Sequence, residues 1–592
     1  MNPLRLASYF DRISDAPDAV SRLRRFILDL AVRGKLIEQD PTDESASDLL
    51  RRIQTEKARL VKEGKINLEK PPKPTSPDDL AFELRPKWEA VRISQILVEL
   101  QTGPFGSSLH QSDYQKGGIP VINPASIKHE RIVPIDRMAV GPATLKRLAT
   151  FKLRAGDIVM ARRGEMGRCA VVTSREEGWL CGTGSLILRL PSCVCARFFV
   201  VLIGSPFVRE YLGGSAVGAT MQNLNQSILL NLIIGLPPLA EQQRIVAKVD
   251  ELMALCDRLE KSVHEREHQR DRLTTASLYR LNNGTNVVDF RSFARFHLNH
   301  LPRLITRIDH ISEFRKTILN LAVRGKIAAQ NPQDEPVAEQ LLLNDRVREA
   351  TAKQDHRADA ERQVLLASED RWNVPPSWEW CALADLVLFI DYRGKTPNKI
   401  EKGVRLVTAK NIKKGFINAF PEEFLSEREY HAWMTRGFPK QDDILFTTEA
   451  PMGNAAVVRL PERFALAQRV ICFRPYGAVN PDFLALQLLA QPFQSILDKT
   501  ATGLTAKGIK AAKLKRLPMA LPPLAEQLRI VCTVNEMMQL CEQLESQLTK
   551  TEDERCGLLE AVLHHALIDA SEAPTAATHA GITNVDRVMS AI

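Results

Sequence analysis

The strongest constraint on this chain is an internal repeat that runs through nearly all of its 592 residues. Residues 26–35 (FILDLAVRGK) return as residues 317–326 (TILNLAVRGK), and residues 236–242 (LPPLAEQ) return unchanged as residues 521–527. Seven consecutive identities do not arise by chance. Because self-similarity at a fixed spacing decides the architecture of a chain, this repeat is considered before any single element.

The two copies, at about 22–282 and 312–567, agree better at their ends than in their middles. Segments that do the same job twice stay alike, whereas segments that do different jobs drift apart. We therefore predict that the ends form a shared scaffold. The middles, at about 85–235 and 375–520, then carry two different tasks.

Apolar periodicity predicts the elements of each copy. Leu23, Ile27 and Leu30 lie on one stripe of an amphipathic helix that ends before Gly34, a suitable left-handed cap. The middles mix short β-rich runs with Gly and Pro turns. We expect the α+β class, with two globular α/β domains in a tandem pseudo-two-fold repeat.

Each copy ends in an apolar pattern that steps by four and three residues, which is the heptad seam of a coiled coil. Pro238 and Pro523 suit the start of these helices. A helix over 239–282 would be about 66 Å long. Its stripe needs a partner, and the nearest candidate is the same helix of the other copy. The predicted interhelix seam consists of Ile245, Val249, Leu252, Cys256, Leu259, Val263, Ile530, Val534, Met537, Cys541, Leu544 and Leu548.

These patterns divide the chain into seven segments. They are an N-terminal helical segment and linker at 1–84, a first globular domain at 85–236, a helix at 237–282, a connecting segment at 283–374 that repeats the N-terminal one, a second globular domain at 375–521, a helix at 522–568 and a flexible tail at 569–592. Within the first segment, the proline-rich run at 71–74 predicts the linker.

Composition limits the class of protein. With 44% hydrophobic and 26% charged residues, and no apolar run of about 18 residues, the chain has the composition of soluble globular proteins. Its first residues lack a leader pattern, so we expect a cytoplasmic protein. The ten cysteines show no paired spacing, which indicates reduced core residues. A net charge of +9 weakly favours an anionic partner.

Recognisable catalytic motifs are missing, and we predict no catalytic residue and no metal site. Gly394-Lys395-Thr396 lacks the upstream glycine of a phosphate loop, because position 389 is Phe389. Residues 264–268 read H-E-x-x-H, the pattern of zinc proteases. However, the second copy has Thr549 and Asp553 in place of the two histidines, so a charged helix surface explains them better.

The doubled L-P-P-L-A-E-Q helix start and the doubled A-V-R-G-K helix end resemble the specificity subunits of type I restriction-modification enzymes. Gly156-Asp157-Ile158, followed by Gly167, resembles a motif of the target-recognition domains in that family. The segments 103–108 and 118–120 resemble the opening of such a domain. The second copy departs from this pattern at 394–397 and 403–405, as expected if its target differs.

The resemblance implies that each middle domain contacts one half of a bipartite, asymmetric site in double-stranded DNA. It also implies that the two long helices pack antiparallel as a coiled coil and hold the domains apart. Two methyltransferase subunits and the restriction motor subunits would then be the partners. They would perform adenine N6 methylation and ATP-dependent cleavage, and would bind S-adenosylmethionine, ATP and Mg²⁺, so that this chain holds no cofactor.

The candidate DNA-binding residues are basic, amide or hydroxyl side chains in the glycine-rich loops. Arg and Lys suit guanine or phosphate, and Asn and Gln suit adenine. The candidates are Ser107, Ser108, Lys128, Arg162, Arg163, Gln222, Asn223, Arg393, Lys395, Lys410, Asn411, Lys413, Lys507 and Lys510.

Two functions of other classes stay open at this point. A nuclease or methyltransferase with its own recognition domains would need an acidic metal cluster or a methyl-donor loop, and the sequence shows neither. A coiled-coil adaptor with two protein-binding domains is disfavoured only by the basic loops. Loss of DNA affinity with salt would distinguish it from a DNA reader.

Overall fold

The computed structural model describes residues 16, 18–66, 75–80, 82–105, 108–164, 167–214, 224–284, 287–354, 361–366, 371–392, 397–503 and 507–569. The predicted linker at 71–74, and the predicted tail beyond residue 569, lie outside this part of the chain. The chain divides into two compact units. The first comprises residues 1–265 and 551–592, and the second comprises residues 266–550.

The helices of the first repeat place apolar residues on the face that packs against the core. The second of them begins with a capping box, in which Ser45 and Asp48 bond to each other's backbone N–H groups. These helices are α1 (Ala19–Val32), α2 (Ala46–Lys62), α3 (Ile93–Ile96), α4 (Pro142–Arg147), α5 (Ala196–Gly204), α6 (Pro206–Gly214), α7 (Gln226–Asn231) and the long α8 (Leu239–Asn283).

Twelve strands form the sheets of the described first repeat. They are β1 (Glu89–Arg92), β2 (Glu99–Thr102), β3 (Tyr114–Gln115), β4 (Ile119–Ile122), β5 (Ile127–Lys128), β6 (Arg131–Ile132), β7 (Ala139–Val140), β8 (Ile158–Ala161), β9 (Cys169–Val171), β10 (Leu180–Cys181), β11 (Ser185–Arg189) and β12 (Ile233–Leu236). β1 pairs antiparallel with β12, so the chain enters and leaves the globular domain side by side. The main sheet is antiparallel and has the order β2-β11-β8-β9, and a second, mixed sheet has the order β10-β4-β7-β3.

The antiparallel sheet β2-β11-β8-β9 is buried on both faces, which explains why its central strands are mostly apolar. Ile158 and Met160 of β8 pack into the large cluster that contains α1 and α5. Val159 and Ala161, which alternate with them, pack into a second cluster with residues of β4 and β10. The domain is therefore layered, with helices on one face of this sheet and the second sheet on the other.

The second unit repeats the helices and the main sheet of this arrangement, with fewer strands outside the main sheet among the described residues. Its helices are α11 (Ile308–Ala322), α12 (Val337–Gln354), α13 (Leu383–Leu386), α14 (Glu427–Trp433), α15 (Pro481–Leu489), α16 (Gln491–Thr500), α17 (Ala511–Lys515) and the long α18 (Leu524–Asp569). Two further helices, α9 (Val287–Asn299) and α10 (Leu301–Leu304), precede them.

The strands of the second repeat are β13 (Glu379–Ala382), β14 (Val387–Asp391), β15 (Val404–Val407), β16 (Phe424–Leu425), β17 (Ile444–Thr447), β18 (Ala455–Val457), β19 (Phe464–Leu466), β20 (Val470–Pro475) and β21 (Pro518–Leu521). β13 pairs with β21, the main sheet has the order β14-β20-β17-β18, and a three-stranded sheet has the order β16-β15-β19. β15 and β19 run parallel, as β4 and β10 do in the first repeat. The expected α+β class with two tandem domains is confirmed.

The heptad seams pack against a different partner from the one expected. Ile245, Val249, Leu252 and Cys256 are buried in the cluster formed by α1, α5 and the sheet of their own repeat, and Leu259 packs beside them. Val263 is half-buried. An apolar stripe can pack on any complementary helix face, and α1 and α5 are bound into the same unit.

The seam of α18 behaves in the same way in the second unit. Ile530, Val534 and Cys541 are buried in its main cluster with residues of α11 and α15. Met537, Leu544 and Leu548 are partly buried against that cluster. The expectation that each seam buries its stripe against the other is therefore corrected for these positions. In the first unit, Leu559 and Val562 near the end of α18 pack against the start of α1 instead.

A buried carboxylate lies in the first turn of each long helix. Glu241 accepts a hydrogen bond from Nε2 of Gln39 at 3.1 Å. Glu526 accepts hydrogen bonds from Nε2 of Gln330 at 2.6 Å and from Nε1 of Trp378 at 2.9 Å. Burial raises the pKa of both carboxyl groups, while these hydrogen bonds oppose the shift. The positive end of the helix dipole favours an acidic side chain at this place.

Gln242, which follows Glu241, binds the start of α8 to the globular domain through hydrogen bonds. Gln242 is fully buried, and its Oε1 accepts the backbone N–H of Cys195, the residue that precedes α5, at 3.0 Å. Its Nε2 donates to the carbonyl oxygen of Pro237 at 2.9 Å. Gln527 makes the same two contacts with the equivalent residues of the second unit. The identical E-Q pair of the two copies therefore has a structural cause.

Two repeated ion pairs complete this attachment. Arg244 forms a bidentate ion pair with Asp43, and Arg529 forms the same pair with Asp334. The nitrogen-oxygen distances are 2.5 to 3.1 Å. Bidentate pairs of this kind fix orientation as well as distance. We call the Glu-Gln pair, this arginine and the segments they bind the helix joint.

The glycine after α1 packs against the same joint. Gly34 has φ +68°, and a Cβ there would lie 3.1 Å from Cζ2 of Trp88. Gly325 has φ +64°, and a Cβ there would lie 3.1 Å from Cζ2 of Trp378 and 2.4 Å from Cγ of Pro375. The repeated A-V-R-G-K ends thus require glycine because of both the left-handed turn and the limited space for a Cβ.

We predict that Gly325→Ala lowers the unfolding free energy by about 2–4 kcal/mol, because left-handed strain and overpacking add. Gly64→Ala is the matched control, since Gly64 has φ +66° and nothing within 4 Å of a Cβ. It should cost only about 1–2 kcal/mol. Chemical unfolding of the full chain measures both. Equal losses in the two variants would show that the Pro375 and Trp378 contacts do not require glycine.

Candidate DNA interface

Three loops of the first domain, two of which contain glycine, pack closely together at one end of its main sheet. A Cβ on Gly103 would lie 1.9 Å from the carbonyl oxygen of Gly182, and one on Gly182 would lie 2.0 Å from Oδ1 of Asn123. A Cβ on Gly184 would lie 2.9 Å from the Pro124 ring. No side chain fits between these loops, so glycine sets their close approach.

Backbone hydrogen bonds add two further loops to this group. The N–H of Arg162, directly after β8, donates to the carbonyl oxygen of Gly184 at 2.9 Å. The N–H of Leu224 donates to the carbonyl oxygen of Arg162 at 3.1 Å. The β5-β6 hairpin leaves from the same place, because Val133 N–H donates to Ser126. We call the described residues 103–105, 108, 123–133, 162–164, 182–184 and 224 the first loop cluster.

The second domain builds an equivalent group with the same bonds. The N–H of Thr448, directly after β17, donates to the carbonyl oxygen of Arg469 at 3.0 Å, and the N–H of Ile509 donates to that of Thr448 at 3.1 Å. Nδ2 of Asn454 donates to the carbonyl oxygen of Ile412 at 2.9 Å, which attaches the loop after β15. We call the described residues 408–418, 448–450, 468–469 and 507–510 the second loop cluster.

The structure brings the described candidates of the first domain together. Lys128 is exposed on the β5-β6 hairpin, Arg163 is exposed after β8, and Arg162 and Ser108 are half-buried, all within the first loop cluster. Ser107, Gln222 and Asn223 lie outside the described residues, although Leu224 follows Asn223 directly. These residues lie far apart in the sequence, so their convergence depends on the folding of four loops.

The second loop cluster collects most of the remaining candidates. Lys410, Lys507 and Lys510 are exposed, and Lys413 is half-buried. Lys507 also forms an ion pair with Asp498 at 2.7 Å. Arg393 and Lys395 lie outside the described residues. The described lysines make this surface basic, which suits contact with phosphates.

Asn411 corrects the sequence prediction, because this residue is fully buried. Its Oδ1 accepts hydrogen bonds from N and Oγ1 of Thr408, at 3.0 and 2.7 Å. Its Nδ2 donates to the carbonyl oxygens of Asn418 and Pro421, at 3.2 and 2.9 Å. These bonds use both ends of the amide, so Asn411 holds the loop in shape and has no amide group left for a base.

Several exposed residues of the clusters were missed by the sequence reasoning. Phe105 is 63% exposed in the first cluster, and Phe416 is 58% exposed in the second. Arg131 occupies the place in the β5-β6 hairpin that Phe416 occupies in the turn between Ile412 and Ile417. Arg469 lies between β19 and β20. A residue-by-residue alignment of the two copies would have drawn attention to these positions.

The Gly-Asp-Ile motif has a structural role at the other end of the sheet. Asp157 is buried, accepts the N–H of Arg154 at 2.9 Å and pairs with Arg189 of β11 at 3.3 Å. Asp443 pairs with Arg474 of β20 at 2.8 Å. Burial is the largest influence on Asp157 and raises its pKa. This aspartate therefore joins the two central strands.

The histidine pattern on α8 lies on the helix surface. His264, Glu265 and His268 are exposed. Within the described part of the chain, no three histidine, cysteine or acidic side chains are grouped closely enough to hold a metal ion. A helix both long and apolar enough to cross a membrane is not found there either.

The chain matches the family of the type I restriction modification DNA specificity domain at residues 86–266 and 395–551, which is more than half of its length. It is 28% identical to the EcoAI specificity subunit and 27% identical to the EcoEI specificity subunit of Escherichia coli type I restriction enzymes. Each alignment covers 93% of this chain and 94% of the relative.

Solved structures of related proteins are also similar. The HsdS subunit of Thermoanaerobacter tengcongensis is 18% identical, with a TM-score of 0.42, and the match covers 82% of this chain and 98% of that one. A chain from a study of complex assembly in the type I R-M system is 19% identical, with a TM-score of 0.45 and the same coverage.

The chain belongs to the family of type I restriction-modification specificity subunits, whose known role is the recognition of a DNA sequence. The adaptor hypothesis is therefore not favoured.

We predict that substitutions of two neighbouring residues in the second loop cluster differ greatly in their effect on stability. Asn411→Ala should lower the unfolding free energy by about 2–4 kcal/mol, because four hydrogen bonds of a buried amide are lost. Lys410→Ala should change it by less than about 0.5 kcal/mol, since the side chain is exposed. Urea unfolding of the full chain checks both. An equally stable Asn411→Ala variant would contradict the structural role of this amide.

Proposed function

We propose that this chain reads a bipartite, asymmetric site in double-stranded DNA, with one half-site bound by each loop cluster. One observation carries this proposal. The same backbone bonds hold the loops of both clusters, yet the side chains at equivalent positions differ, with Arg162 in one and Thr448 in the other. A shared scaffold with different exposed side chains suits two domains that bind the same polymer but different sequences.

We further propose that the chain has no catalytic centre and works as a subunit of a larger enzyme. The relatives that it matches over most of their length are described as specificity subunits of type I restriction enzymes. Two methyltransferase subunits and the restriction subunits would be the partners. They would supply adenine N6 methylation with S-adenosylmethionine and ATP-dependent cleavage with Mg²⁺, while this chain sets the site.

The charge of the clusters supports a contact with the phosphate backbone. Phosphate contacts release bound counterions, so binding weakens as salt rises, with a slope of about 0.9 for each neutralised phosphate. Exposed lysines that lie on the cluster should contribute to this slope. Equally exposed lysines of the same domain that lie at the opposite ends of the strands should not.

We predict that the double variant Lys410→Gln and Lys510→Gln lowers the salt slope of DNA binding by up to about 2. The matched control is Lys402→Gln with Lys440→Gln, because these residues precede β15 and β17 whereas the loop cluster follows those strands. Affinity for a fixed duplex, measured at several salt concentrations, gives both slopes. Equal slopes for the two double variants would place DNA elsewhere on the domain.

A second prediction concerns the independence of the two domains. The β1-β12 ladder joins the entry and exit of the first domain, so residues 93–232 can be exchanged for those of a relative while Glu241, Gln242 and Arg244 are kept. The exchange replaces Cys195, but Gln242 binds only its backbone N–H, which any residue other than proline supplies. The chimaera should direct methylation to a site with one altered half and one unchanged half. Methylated adenines are mapped by sequencing. A change in both halves would refute separate recognition.

A further inference from the structure

Each loop cluster contains an arginine, but the two arginines lie on different loops of the same backbone arrangement. In the first cluster, Arg162 and Arg163 follow β8, and the loop bonded to them presents Gly184. In the second, Thr448 and Glu449 follow β17, and the loop bonded to them presents Arg469. The same region of both clusters therefore carries a guanidinium group, but it is supplied from opposite sides.

The backbone at Arg469 does not explain the choice of arginine. Arg469 has φ +73°, a left-handed conformation that costs free energy for any residue with a Cβ. The conformation is held because N and Oγ1 of Thr448 both donate to the carbonyl oxygen of Arg469, at 3.0 and 3.2 Å. Glycine would relieve this strain. The equivalent residue of the first copy is Gly184, whose φ lies outside the left-handed region. The strain at Arg469 therefore belongs to the second cluster and is not relieved by the arginine side chain.

The neighbour of Arg469 indicates what it contacts. Nε of Arg469 lies 3.6 Å from Oε2 of Glu449, and about half of the arginine side chain is exposed. This ion pair orients the guanidinium, but 3.6 Å is too long for a hydrogen bond, so it does not use the N–H donors fully. Glu449 is itself partly exposed and belongs to the second loop cluster.

We propose that Arg469 reads a guanine in the half-site bound by the second domain, an inference that rests on the proposed function. Arginine donates two parallel hydrogen bonds to O6 and N7 of guanine. A phosphate is the poorer ligand here, because the Glu449 carboxylate repels it at close range. The same carboxylate can orient Arg469 or accept a bond from N4 of the paired cytosine. Together the two side chains complement a G·C pair.

The test uses the full chain with its methyltransferase partners and a library of random-sequence duplexes, with the bound DNA sequenced. The parent should select a guanine at one position of one half-site. Arg469→Lys keeps the charge but loses the bidentate geometry, so that preference should disappear while the rest of the site remains. Affinity for the selected duplex should fall about 5- to 150-fold.

Two further variants separate recognition from folding. Arg469→Gly should lose the same preference while its thermal unfolding midpoint stays equal to or above that of the parent, because the strain is relieved. Arg463→Ala is the matched control, since Arg463 is an exposed arginine of the same domain that pairs with Glu427 and precedes β19. Its selected site should be that of the parent.

Other outcomes overturn the assignment. A uniform loss of affinity with all base preferences kept, and a salt slope lower by about 1, would make Arg469 a phosphate contact. An unchanged selection in Arg469→Lys and Arg469→Gly would remove it from the interface. If the parent selects no two-part site at all, the proposed function itself fails, and this inference fails with it.

Discussion

The structure depends on the buried glutamate-glutamine pair that begins each long helix. A carboxylate and an amide that are almost completely removed from water must find hydrogen-bond partners, or their desolvation would destabilise the fold. In each repeat, the carboxylate binds a glutamine from the segment after α1 or α11. The amide binds the backbone N–H group of the residue that precedes α5 or α15. The pair therefore ties three separate parts of each repeat to one point.

This joint explains why the two copies can differ elsewhere. The globular domain enters and leaves through one short ladder, β1 with β12 or β13 with β21, beside the joint. The loops that form the clusters lie beyond the strands. They are held to one another by backbone bonds, together with glycines in the first cluster and the buried amides of Asn411 and Asn454 in the second. Exposed side chains in these loops can change without disturbing the core, and DNA recognition needs that freedom.

Charged residues also differ between the shared scaffold and the loop clusters. Asp157 and Asp443 share the repeat's structural role, because each is buried and paired with an arginine of a central strand. By contrast, Arg162 and Arg469 occupy different loops of equivalent clusters. The buried ion pairs of the scaffold are therefore repeated at equivalent positions, whereas the cluster arginine lies on different loops in the two clusters.

Several features of the protein can be predicted from its sequence alone. The duplication, the α+β class and the long helices follow from identities and periodicities that are local in sequence, because helix and strand patterns repeat over a few residues. The resemblance to specificity subunits rests on the same local motifs. The partners of the apolar seams and the roles of individual loop residues depend on three-dimensional contacts. The seams pack on their own repeats because α1 and α5, or α11 and α15, offer apolar faces within the same unit, and a stripe does not encode which face it meets. Asn411 is buried and Arg469 is presented because loops far apart in sequence meet, and the hydrogen bonds and exposure that decide a side chain's role exist only after they do.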